Sequence, residues 1–114
     1  MANTFKLKNN AVMPSSAGTF DTLYTVPSTT TTVILGLTLC NVHTSQVLAS
    51  VKITDNESSD VVSHLLLNAP IPVGGSLEVM AGNKIVLETT DSISIDCSVA
   101  DKISATMSIM EIDT

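Results

Sequence analysis

The sequence has no tryptophan and no arginine, and only three aromatic residues, Phe5, Phe20 and Tyr24. It has two cysteines, no apolar run near the ~18 residues of a membrane-spanning helix, and a charged fraction of 14%. Each scarcity excludes something. Without tryptophan there is no Cys…Trp…Cys framework, so an antibody-type domain is out. All five basic residues are scattered lysines (Lys6, Lys8, Lys52, Lys84, Lys102) against 11 acidic ones, giving a formal net charge of −6. Phosphate neutralisation needs clustered Arg and Lys, and single-strand binding adds stacking aromatics. Nucleic acid is therefore rejected as a direct partner, and an anionic membrane surface falls to the same argument. Lys6 and Lys8 are not followed by an apolar h-region, so no secretory signal is read there. Cys40 and Cys97 lie far apart and lack metal-ligand spacing. In a chain without such a signal they read as two buried, reduced thiols rather than a disulfide.

What the sequence does have is aliphatic and hydroxyl-rich. At 114 residues and 11.9 kDa it is one domain, expected to bury roughly 65% of its unfolded surface around valine, isoleucine, leucine and methionine. Thr and Ser contribute 15 and 14 residues, and mean hydropathy is +0.38. A surface coated with hydroxyls instead of charges suits a protein partly covered by neighbours.

No apolar stripe of helical period runs through the chain, whereas period-two alternation recurs. Strands are expected at residues 4–8, 20–25, 32–42, 47–54, 62–68, 76–80, 84–89, 92–100 and 105–112. Residues 32–42 are too continuously apolar for one wet face and read as a central strand, with Gly36 allowing a bulge. Pro70 and Pro72 exclude their segment from any central sheet position. Residues 92–100 place Ile93, Ile95, Cys97 and Val99 on one face. In residues 105–112, Met107 and Ile109 alternate with Thr106, Ser108 and Met110. These signals predict an all-β, antiparallel β-sandwich of about eight strands with negligible helix, either jelly-roll or immunoglobulin-like. Residues 1–18 are expected to form an irregular N-terminal arm ahead of a sandwich spanning residues 19–114.

Reactive constellations are scarce. His43 reads as a turn residue and His64 as a sheet-surface or interface residue, since neither has a Cys, Asp or second His at ligand spacing. No G-x-S-x-G elbow occurs, and Gly74, Gly75 and Gly82 read as turn residues, not a phosphate cradle. The acidic loop at residues 55–60 is the most site-like feature. Its Asp55, Asn56, Glu57 and Asp60 could offer oxygens to Ca²⁺ or touch a glycan, but they depart from EF-hand spacing and suit a plain hairpin loop. No catalytic, cofactor or metal residue is assigned, and the chain is read as a non-enzyme.

Two segments carry a resemblance. "LYTVPSTTTTVILGLTLCNV" begins residues 23–58, and residues 65–112 contain "PIPVGGSLEV", "NKIVLETTDSISI" and the ending "MEI". Together they resemble small virion structural proteins of tailed bacteriophages, of the kind found in cyanophages and other marine phages. The resemblance covers about three quarters of the chain, through turn and strand patterns. It implies a non-enzymatic virion component, and brings no catalytic or ligand residues with it. The expected role is a capsid decoration or cement protein bound to the outer lattice of the major capsid protein, assembled in the host bacterial cytoplasm. The alternative is a tail, collar or fibre-associated component. Expected partners are copies of itself, as a trimer with dimer or pentamer as alternatives, and the major capsid protein or, alternatively, tail or fibre proteins.

Overall fold

A computed structural model describes residues 3–56, 61–80 and 84–113. Within them the chain forms nine strands: β1 (Asn3–Met13), β2 (Asp21–Thr25), β3 (Thr30–Asn41), β4 (Val47–Asp55), β5 (Val61–Ile71), β6 (Ser76–Glu78), β7 (Ile85–Leu87), β8 (Ser92–Cys97) and β9 (Ile103–Asp113). No helix occurs among the described residues, as the missing helical periodicity requires.

The strands make two antiparallel sheets. Sheet A has the order β1-β9-β3-β6, with β7 pairing β3 beyond the reach of β6, and sheet B has the order β2-β8-β4-β5. The pairings are nested. β1 pairs β9, β2 pairs β8, β3 pairs β6 and β7, and β4 pairs β5. A long hairpin with its turn between β4 and β5 has thus been wrapped across two layers. That is the jelly-roll arrangement, and it decides between the two topologies that the sequence left open.

Alternation built the interior. Val47, Ala49 and Val51 of β4, Ile93, Ile95 and Cys97 of β8, and Ile103, Ala105, Met107 and Ile109 of β9 are all buried. β3 shows why its run looked too continuous. Its pairing with β9 shifts register between Ile34 and Gly36, so Ile34 and then Leu37, three residues on, both point into the core. One extra residue at this bulge inverts the parity. The same point divides the other side of β3, where β7 pairs residues 32–34 and β6 pairs residues 38–40.

Two expectations are corrected. The first strand was expected to stop at residue 8, yet β1 stays paired with β9 through Asn10 and again at Met13. Its polar Asn9 and Asn10 mimic a loop, but an edge strand needs only its backbone ladder and tolerates polar side chains on both faces. Cys40 was expected to be buried. It is half-buried on the outer face of β3, paired with Ser76 and Ser104, whereas Cys97 is in the core; both thiols are free. The prolines behave as expected, since β5 runs through Pro70 but lies at the edge of its sheet.

Turns fix the connections. Pro72 to Gly75 closes with the Gly75 N–H donating to the Pro72 carbonyl at 2.9 Å, and Gly74 sits at φ 71°. That backbone position favours glycine. The buried Asn41 side chain donates to the carbonyls of Ile71 (2.9 Å), Ser45 (3.0 Å) and Pro72 (3.2 Å) and accepts the His43 N–H at 2.7 Å. One amide therefore pins the β3–β4 turn to the end of β5.

Candidate interaction surface

The residues with chemical potential are dispersed. His43 is a turn residue, held through its backbone by Asn41. His64 lies exposed on β5 opposite Lys52 of β4. Its ring is 6.1 Å from that of Phe20, and the Lys52 ammonium lies 4.4 Å from the Phe20 ring centre. This cluster on the outer face of sheet B is a cation–π contact with an imidazole beside it, and it has no nucleophile. In the acidic loop, Glu57 and Asp60 lie outside the described residues. Asn56 is engaged locally, its N–H donating to Asp91 Oδ1 (3.2 Å) and its amide to the Thr90 carbonyl (2.6 Å). Among the described residues no three His, Cys, Asp or Glu side chains gather to hold a metal ion, and no pocket opens.

The strongest electrostatic feature is internal and spans both sheets. Tyr24 of β2 donates its hydroxyl proton to Glu111 Oε2 of β9 at 2.5 Å and lies 2.8 Å from Thr32 Oγ1 of β3. The other carboxylate oxygen of Glu111 meets Lys6 Nζ of β1 at 2.7 Å. Glu111 is only 6% exposed. Lys6, hydrogen-bonded to Glu111, and then Tyr24 hold its carboxyl below the usual range despite burial. Burial, followed by the hydrogen bond to Glu111, pushes Tyr24 up to about 12. Near neutral pH the carboxylate is therefore charged and the phenol protonated. The first has no proton to give and the second none to take, so the group serves as a clasp between layers, not as an acid–base pair. Sequence reasoning missed it, because its members lie far apart along the chain.

What remains for function is the surface. Cross-strand partners share a face, and the register places Phe5, Met110, Val33 and Val86 in one row across β1, β9, β3 and β7. The buried neighbours Ile109 and Ile34 point into the core, so this row lies on the outer face of sheet A. Phe5 is 71% exposed, Leu7 60% and Val86 60%. Ile112, opposite Asn3 and Thr31, extends the band. Outer positions of β1, β9 and β3 otherwise carry Asn, Ser, Thr, Gly and Cys, with Leu35 at the β3 bulge and Val12 near the end of β1, and no charge. The nearby charges Glu78, Lys84 and Glu88 all lie along the β6–β7 side. A chain of net charge −6 thus keeps most of one broad face neutral. Val61, Val62 and Leu67 are also exposed, at points along edge strand β5.

No family model matches the sequence, and neither does any curated protein. Solved structures of similar fold are found. A chain of the T13 particle of infectious bursal disease virus superposes with a TM-score of 0.60 at 12% identity, over 96% of this chain and 30% of that one. A chain from the Gx strain of the same virus gives 0.52 at 14% identity, over 95% of this chain and 33% of that one. A Bacillus endospore appendage, from a family described as disulfide-linked pili, gives 0.53 at 10% identity, over 99% and 91%. This chain therefore spans about a third of the virus chains that it resembles, and nearly the whole of the pilus chain. At these identities the likeness is one of fold.

Proposed function

We propose that the protein is a non-enzymatic structural subunit of a virion, acting as a capsid decoration or cement protein on the outer lattice of the major capsid protein. One observation carries the reading: large apolar side chains lie on the outside of an acidic jelly roll on both sheets, Phe5, Leu7 and Val86 on sheet A and Val61, Val62 and Leu67 at points along β5 of sheet B. An assembling subunit has two kinds of neighbour to meet, its own copies and the lattice beneath. The fold supports the reading, being one that viral capsid chains also use. So does the chemistry, since the buried polar cluster is locked into structural bonds. Stabilisation would be additive. Each contact buries a modest apolar area at about 25 cal/mol per Å², and symmetry repeats it over the particle.

The likeness to a pilus subunit, which spans nearly both chains, favours a second reading, a fibre- or tail-associated component built from the same sandwich. Quantitative mass spectrometry of purified particles separates the two. A decoration protein should be present in hundreds of copies, comparable with the major capsid protein. A handful to some tens of copies, retained by isolated tails, would establish the second reading and refute the first.

A further inference from the structure

We infer that the outer face of sheet A is a contact between two copies of this chain, related by a two-fold axis that lies in the interface, parallel to the strands and between β9 and β3. The inference rests on the reading of the protein as an assembling subunit, and adds the surface and the symmetry.

The geometry follows from the register. Along the central row the side chains run Phe5, Met110, Val33, Val86 from β1 to β7, so β1 and β9 carry the bulky residues and β3 and β7 the small ones. The proposed axis lays β1 of one copy over β7 of the other, and β9 over β3. Phe5 then meets Val86, and Met110 meets Val33. One row along, Ile112 falls over Thr31, and in the other direction Ser108 falls over Gly36. A Cβ built at Gly36 would have only Glu78 Oε1 nearby, at 3.7 Å, so that position is open to a partner. In these three pairs, Phe5–Val86, Met110–Val33 and Ile112–Thr31, a larger side chain meets a smaller one, the condition for two layers to interdigitate at the ~10 Å spacing of packed sheets.

Area and charge agree with a second copy as the occupant. The exposed parts of Phe5, Leu7 and Val86, with the partly exposed Met110, Ile112 and Val33, amount to about 450 Å² of apolar surface. A standard interface buries ~800 Å² per partner, somewhat over half of it apolar, which is again about 450 Å². The patch thus supplies the apolar content of one ordinary interface. Two copies of an acidic chain repel, and this face lets them meet without setting acid against acid at the centre. Glu88 and Lys84, two residues either side of Val86, fall at the rim over the other copy's Asn3 and Leu7. A two-fold contact gives a dimer, one of the alternatives to the trimer expected from the sequence.

Sedimentation equilibrium of the full chain should show a reversible dimer, twice the 11.9 kDa chain mass. Phe5→Lys and Val86→Glu should each weaken it at least ~10-fold, because each buries an unpaired charge. Both positions are largely exposed, so unfolding transitions should stay near wild type, which separates loss of contact from loss of fold. An equimolar mixture of the two variants should restore dimers, because the axis brings the introduced lysine of one copy against the introduced glutamate of the other. Leu67→Ser, on β5, should leave the dimer intact. A monomer at every concentration up to about 1 mM, a trimer, a dimer insensitive to both variants, or a mixture that fails to re-form would overturn the inference. Copy number in particles is read separately, so failure here leaves the virion assignment to its own test.

Discussion

Removing one oxygen atom, in Tyr24→Phe, tests the inter-sheet clasp most directly. The Tyr24 hydroxyl gives its only proton to Glu111 and lies within hydrogen-bond distance of Thr32. With the ring retained, the substitution keeps the packing and the Lys8 ammonium 5.8 Å from the ring centre. It leaves Glu111 Oε2 buried without that donor, and the remaining ion-pair partner, Lys6, is 44% exposed and holds the other oxygen. A hydrogen bond to a charged group is worth ~1.5–3 kcal/mol, and an orphaned buried acceptor adds its own desolvation cost. The expected loss is about 2 kcal/mol, which lowers the melting temperature by about 8 °C in a domain of this size. Urea unfolding should show a reduced midpoint at unchanged slope. The pH dependence has a definite sign. Glu111 has a lowered carboxyl pKa in the fold, so its contribution is present above the ordinary value near 4.5 and is lost as pH falls through the lower folded value. Tyr24, raised from 10.0 to about 12, contributes fully below pH 10 and loses its contribution as pH rises through 12. The gap between wild type and Tyr24→Phe should therefore be widest at intermediate pH and narrow at both ends. A double-mutant cycle with Glu111→Gln should give a coupling of about 1 kcal/mol or more. A loss below about 0.5 kcal/mol, or a gap that does not change with pH, would show that the clasp contributes no net stability.

Three further outcomes are expected. Asn41→Ala removes a buried amide that serves three carbonyls and one N–H; it should cost about 2–3 kcal/mol in urea unfolding. Gly74→Ala places a side chain at φ 71° and should cost about 1 kcal/mol without altering circular dichroism. In native protein a thiol reagent should label the half-buried Cys40 well before Cys97, which should react only on unfolding; equal rates would contradict the burial assigned to them.

Local pattern carried the strands and little of their partnership. β4, β8 and β9 were legible because Val47, Val51, Ile93, Ile95, Met107 and Ile109 alternate with polar residues, and the Gly36 bulge because glycine interrupts an apolar run. Nothing local tells β1 to pair with β9, so the nested topology stayed open between two architectures. Nor could Tyr24, Thr32, Glu111 and Lys6 be joined before four strands had been placed side by side. The outer face of sheet A left one trace in the sequence: Met110 and Ile112 stand at positions where β9 otherwise carries Thr106 and Ser108. That irregularity acquires meaning only when the register sets Met110 between Phe5 and Val33.

The outermost pair of the nested hairpin has a mechanical consequence. Asn3 lies opposite Ile112, so the two ends of the described chain leave the molecule side by side, at one end of the β1–β9 ladder. Tension applied between them loads that ladder bond by bond, as a zipper is opened, and does not spread across all its hydrogen bonds in shear. β1 should peel away at low force while the sandwich behind it holds. A pull directed through the exposed edge of β5 would instead meet the β4–β5 ladder along its length. How strongly such a subunit resists being torn from its neighbours thus depends on which strand they grip.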